Sequence, residues 1–330
     1  MQPSRTLLNL LLGLLLITGA AAEETVHSAA WCAGGKYLLT TTAGRRLRLH
    51  GATTGKVRKS SVVPGKATVY VSFGPDSGTD EDNNLYVRGD GEGAITCGVD
   101  RMIHWWKLPQ LTCTLEKDIN YNLVGMSLVD HGRLMAYTST SSRYLDSEMG
   151  LLRWDGKDLK YGSFSELPPP DGSSSYSAPQ LSPDGLWAMA FTGQDVQLWD
   201  LSKPEAGGRH VKDVLATGMA LTNQHFYTEV KEGVSVRSYA QPEQSLHTFP
   251  CRYVRAIGVD SLEQRLVVLT WDELSCWDLR QPEKKPRVWK HKSESLQLSP
   301  DGKKAILRDQ KSIEVWDLEK HRRLYRWEAG

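Results

Sequence analysis

Residues able to do chemistry are spread thinly along this 330-residue sequence, and no spacing gathers them into a catalytic constellation. Asp80, Glu81 and Asp82 form an acidic run whose oxygens could meet a calcium ion, but the ligand alternation of an EF-hand loop is missing. The run reads as a solvated acidic turn. Cys32, Cys97, Cys113, Cys251 and Cys276 are too far apart for a zinc site, whose paired ligands sit about two to four residues apart. They read mostly as buried packing residues, the usual place of a free cysteine. HExxH, a Walker loop, GxGxxG and a nucleophile elbow are all missing, so zinc proteolysis and phosphate transfer have no motif to rest on. Two polar stretches stand out instead. STSSRYLDSEM carries Arg143, Tyr144, Asp146 and Glu148, and PPPDGSSSYSA carries Asp171 and Tyr176. Tyrosine and arginine combine apolar area with polar ends and are enriched where proteins touch partners.

The elements that must hold these residues are set by an internal period. VQLWDL ends at Leu201, LSCWDL at Leu279 and IEVWDL at Leu318. QLSPDG occurs at Gln180–Gly185 and again at Gln297–Gly302, with the same spacing from its serine to the following tryptophan. Applying that frame places His50, Trp106, Trp154, Trp199, Arg237, Trp277 and Trp316 at one repeating position. The intervals between them run from 38 to 56 residues, around the period of about 40 to 45 of a four-stranded propeller blade. Seven positions predict an all-β, seven-bladed β-propeller of four-stranded antiparallel blades over residues 23–330. The expected inner strands are VHSAAW, ATVYVSF, NLVGMSLV, SAPQLS, LATGMALT, VRAIGV and SESLQLS. Trp106, Trp154, Trp199, Trp277 and Trp316 act as blade anchors, each ring filling the wedge between neighbouring blades. Pro, Asp and Gly in SPDG suit a tight turn.

These turns and tryptophans resemble the WD40 family and its bacterial YVTN-like cousins across the chain from residue 23 onward. Departures are plain: the family's Gly-His pair is not evident, and its turn aspartate six residues before the tryptophan occurs only as Asp100. The His–Asp–Trp network of that family is therefore not carried over, and blade packing is expected to rest mainly on apolar contact. The sequence after Trp316 suffices for an outer strand, so the seam between first and last blades is expected to close by side-chain packing alone.

Residues 1–22 read as a signal peptide: Arg5 precedes an apolar run from Leu7 to Thr18, followed by Ala20, Ala21 and Ala22. The run is shorter than the roughly 20 residues that cross a bilayer. The expected location is periplasmic or extracellular. A formal charge of +1 and the lack of any block of like charges argue against nucleic acid and against a polybasic grip on lipid.

Within the propeller frame, the innermost strands carry almost no carboxylates and one histidine, His27, which reads as a rim or core residue. Neither a metal nor another cofactor is expected. Arg88, Gly89 and Asp90 resemble an integrin-binding tripeptide but read as part of a loop inserted between the first two strands of the second blade. The insertions carrying Arg143 to Glu148 and Asp171 to Tyr176 leave the third blade on one face, because strand direction alternates. The expectation is a non-catalytic exported scaffold that binds a protein or peptide on that face. The alternatives are a propeller enzyme, such as a quinoprotein-like oxidoreductase or a hydrolase with a cofactor at the channel mouth, and a structural subunit of a cell-envelope complex.

Overall fold

The structure, a computed structural model, describes residues 25–329 except 43–45, 65–85, 91–92, 98–101, 119–121, 130–132, 141–146, 156, 164–178, 193–194 and 204–205. The described chain is all-β apart from short 3-10 turns such as Ala33–Gly35. Its strands form small four-stranded antiparallel sheets, each running up and down in sequence order, in a propeller-like arrangement. Seven such sheets are present among the described residues. Their first strands are Val26–Cys32, Tyr86–Asp90, Asn122–Val129, Gln180–Leu181, Leu215–Leu221, Val254–Val259 and Ser295–Leu298, and each lies beside the first strand of the next sheet.

All seven repeating positions fall on third strands, from Arg46–Gly51 in the first sheet to Ser312–Asp317 in the seventh. The pairing explains why residues as unlike as histidine, arginine and tryptophan can occupy one position. A β-bulge interrupts the pairing with the fourth strand immediately before His50, Trp106, Arg237 and Trp316. A bulge re-aims the side chains next to it, so the backbone sets the position and each residue solves its burial locally. His50 is bonded on both ring nitrogens, to Thr40 Oγ1 at 2.7 Å and to the Gly55 carbonyl at 2.8 Å. Trp106 donates from Nε1 to Thr96 Oγ1 at 2.9 Å. The Arg237 guanidinium donates to the carbonyls of Lys212 and Pro242 and to Ser235 Oγ. Trp199 and Trp277 are buried, with Trp277 edge-on to Phe249 at 5.7 Å between ring centroids. Hydrogen bonds within the sheets thus accompany the apolar packing: a buried ring N–H or guanidinium needs an acceptor, and a threonine ten residues upstream meets the ring in the first two sheets, Thr96 accepting from Trp106 and Thr40 donating to His50 Nε2 while Nδ1 donates to the Gly55 carbonyl.

The turns between first and second strands share one device. In both SPDG turns the serine hydroxyl donates to the aspartate, at 2.5 Å for Ser182–Asp184 and 2.6 Å for Ser299–Asp301. The same hydroxyl accepts the amide five residues on, from Trp187 and from Lys304. Asp260 does the equivalent in the sixth sheet, accepting from the amides of Gln264 and Arg265. Neighbouring turns are tied together across sheets: Asn223 accepts from the Asp184 amide, Glu263 is bonded to Thr222 and to His225 Nδ1, and Ser261 donates to the Pro300 carbonyl.

Two expectations need correction. The second sheet begins with Tyr86–Asp90, paired to Gly93–Cys97 through Arg88↔Ile95, Gly89↔Ala94 and Asp90↔Gly93. Arg88, Gly89 and Asp90 are therefore strand residues and not loop residues. The expected strand Ala67–Phe73 and the acidic run Asp80–Asp82 lie outside the described residues. The seam between first and last sheets also involves more than packing. The last sheet does complete itself with Arg322–Glu328, but Trp31 Nε1 donates to the Gln297 carbonyl at 3.1 Å and Tyr325 Oη to the Ala52 carbonyl at 3.0 Å. A single parallel bridge joins Val26 to Ala329.

Candidate functional site

Second-to-third-strand turns and sheet-to-sheet links emerge at the same end of these sheets. In the sixth and seventh sheets they build a cleft of about 620 Å³ lined by Tyr253, Arg255, Trp271, Asp272, Lys292 and Glu294, with Ser293 and Asp309 behind. Local chemistry places each wall. Thr270 Oγ1 accepts the Glu273 amide and donates to the Glu273 carbonyl, closing a tight turn that puts Trp271 at its tip. Tyr253 ends the link from the fifth sheet with φ of 58°, a left-handed conformation that a tyrosine adopts rarely. The two rings are 71% and 61% exposed, far beyond the anchor tryptophans, which are buried or half-buried. Arg255 lies over Trp271, its Cζ 3.7 Å from the ring centroid, and donates to the Ser293 carbonyl at 3.3 Å. Asp309 is committed to its own turn, accepting from the amides of Lys311 and Ser312.

The wall behind Ser293 is an ionic cluster. His291 Nδ1 is 3.0 Å from Ser293 Oγ, and its Nε2 is 3.4 Å from Glu314 Oε2. Glu314 also accepts from Trp316 Nε1 at 2.8 Å and from Arg323 at 2.7 Å. Burial alone would raise the Glu314 pKa, yet the bonds from Trp316 and Arg323 leave it below the ordinary value. Burial dominates at His291 and lowers its pKa despite the facing carboxylate. An anchor tryptophan thus fixes the carboxylate that fixes the histidine, and the histidine holds the segment to which Arg255 is bonded.

No family model matches the chain, and no curated protein matches it. The site is therefore argued from its chemistry. An arginine stacked on an indole beside an exposed tyrosine is the composition of an interaction hot spot. Among the described residues no group of three or more His, Cys, Asp or Glu is arranged to hold a metal ion.

Of the residues singled out in sequence, Arg143, Tyr144, Asp146, Asp171 and Tyr176 lie outside the described residues, and Glu148 sits on strand Ser147–Trp154 opposite Ser139. Tyr253, Arg255 and Trp271 were not singled out. One signal for Trp271 was available: it falls between two strands, six residues ahead of the repeating position at Trp277. The described thiols Cys32, Cys113, Cys251 and Cys276 are free. Burial pushes Cys32 up to about 12 and Cys251 up to about 11 and raises the other two, which suits packing and disfavours the reactive thiolate.

Proposed function

We propose that this chain is an exported, non-catalytic propeller of the WD40-like kind, each of its seven sheets one blade, and that it captures a protein or peptide on the face carrying the Trp271 cleft. The exposed Tyr253 and Trp271, with the half-buried Arg255 stacked on the Trp271 ring, are the observation that carries this reading. Two large rings and a pre-stacked guanidinium offer apolar area with little conformational entropy to lose on binding. Connections of the same class join the third sheet internally and lead on to the fourth, and we extend the proposed surface to the residues singled out there in sequence, Arg143, Tyr144, Asp146, Asp171 and Tyr176, with Glu148 at the start of strand Ser147–Trp154. Sequential contact of the first strands, closed by Trp31 against Gln297, supports the seven-bladed ring.

The test is a photo-cross-linking residue at position 271, used in the native compartment to identify the partner, followed by binding measurements on purified proteins. Tyr253→Ala and Trp271→Ala are each expected to weaken that partner by about thirtyfold, since a hot-spot truncation costs about 2 kcal/mol, and the double variant by more than either alone. Leu246→Ala, at an exposed residue on an outer strand, should leave affinity unchanged. Equal affinity of the double variant and the parent would overturn the reading.

A further inference from the structure

The opposite end of the sheets carries a second cavity of quite different chemistry. About 480 Å³ in volume, it lies between the first and second sheets and is lined by Lys36, Arg58 and Lys59, the hydroxyl residues Tyr37, Thr53 and Thr54, and Pro109. It has three cations and no carboxylate. No ion pair among the described residues includes Lys36, Arg58 or Lys59. The surrounding sequence accentuates this: from Thr25 to Pro75 there are eight Lys or Arg residues and no Asp or Glu, in a chain whose total charge is +1. The near-neutral total conceals a first sheet whose charged residues are all basic and sit on its third and fourth strands and in its turns.

The backbone aims these cations. In the pairing of Arg46–Gly51 with Val57–Val62, Leu49 faces Lys59 and His50 faces Val57, which leaves Arg58 as the extra, unpaired residue of the bulge. A residue in that position turns out of the strand's alternation, and Arg58 and Lys59, adjacent in sequence, both reach the cavity. Gly51 lets the Thr54 hydroxyl approach the strand beside the guanidinium. A Cβ there would stand 3.5 Å from Arg58 Nε and 3.1 Å from Thr54 Oγ1. Thr54 is fixed by the Lys56 amide, which donates to its hydroxyl.

We propose that this cavity binds the phosphate or sulfate group of an anionic ligand, with Arg58 as the bidentate donor, Lys36 and Lys59 as flanking charges and the threonine hydroxyls completing the oxyanion's hydrogen bonds. A planar guanidinium matches a tetrahedral oxyanion through two parallel bonds, and lysines act beside it as point charges. A carboxylate would offer these donors two acceptor oxygens, whereas a phosphate or sulfate group offers three or more to share among the three cations.

The test is thermal unfolding of the full chain in sodium phosphate and sodium sulfate, against sodium chloride at matched ionic strength. A saturable rise in Tm with both oxyanions, over and above chloride, is expected. Arg58→Ala with Lys59→Gln should raise the apparent Kd for phosphate about tenfold or more, the loss of one charge-assisted bond or more, while its Tm in chloride stays that of the parent. Flotation with phosphatidylinositol vesicles, against phosphatidylcholine vesicles, identifies the source. Variant-sensitive flotation assigns a lipid headgroup, and variant-sensitive stabilisation in solution without flotation assigns a soluble phosphate or sulfate ester. Equal Tm in chloride and oxyanion, or an oxyanion effect that survives the double substitution, overturns the proposal.

Discussion

At the scale of single residues, Glu314 is where electrostatics and architecture meet most closely. Its carboxylate receives the indole of an anchor tryptophan and a guanidinium while facing His291. Its pKa is held below the ordinary glutamate value of 4.5, so its stabilising contribution is complete above that value and is lost as pH falls through the lowered folded value. His291 acts in the same direction for another reason. Burial lowers its pKa below 6.5, so the unfolded chain takes up a proton that the folded chain resists, and stability falls as pH drops through the ordinary imidazole range. Glu314→Gln separates the two effects. It should cost about 1.5 to 3 kcal/mol near pH 7 through lost charge-assisted bonds. It should also flatten the loss of stability below pH about 4.5 and steepen the loss around pH 6, since His291 then has no carboxylate to favour its charged form. Urea unfolding at closely spaced pH values measures both limbs, and a uniform loss with an unchanged profile would show that the cluster is not ionic.

At the scale of elements, what the sequence made legible depended on whether the determinant was local. SPDG turns and third-strand tryptophans were legible because a serine, an aspartate and a glycine close that turn by themselves, and Gly185 and Gly302 both have positive φ. His50 and Arg237 were legible only through register, and the bulges before them supply the physical reason. The start of the second sheet was misread because ATVYVSF alternates like a strand, whereas Tyr86–Asp90 contains a glycine and two charges and runs straight into its hairpin. The Trp271 cleft was not legible at all, since its walls come from four connections that meet only after two sheets have formed. Local turns also differ in how much they tolerate. Gly233 has φ of 150°, and a Cβ there would lie 2.0 Å from the Phe249 carbonyl oxygen, whereas Gly34 has φ of 63° with nothing within 4 Å. Gly34→Ala should cost about 1 to 2 kcal/mol, the ordinary penalty of a left-handed alanine. Gly233→Ala should cost clearly more, because the neighbouring strand must also move. Chemical denaturation of the two variants gives the comparison, and equal costs would mean that the hairpin opens without resistance.

At the scale of the whole molecule, the arrangement stands or falls on its seam, because every other pair of neighbouring sheets is joined by continuous chain and this pair is not. Besides the parallel bridge from Val26 to Ala329, three side-chain features span it: the Trp31 bond to the Gln297 carbonyl near the inner strands, the Tyr325 bond to the Ala52 carbonyl further out, and the tilted contact of His50 with Trp327 at 5.0 Å. Tyr325 also lies against Gly55, where a Cβ would come within 3.0 Å of its ring. Trp31→Phe and Tyr325→Phe keep most of the apolar area and remove one hydrogen bond each, so each should cost about 1 kcal/mol. The bonds share no partner residue, so the costs should add in the double variant unless loosening one end loosens the other. Hydrogen exchange separates a local from a global effect. Opening at the seam should accelerate exchange in Val26–Cys32 and Ser295–Leu298 while leaving Trp187–Thr192, in the fourth sheet, at the rate of the parent. Unchanged exchange at the seam in the double variant would mean that side-chain packing suffices to close the ring, and equal acceleration in all sheets would mean that the seam unfolds only with the whole.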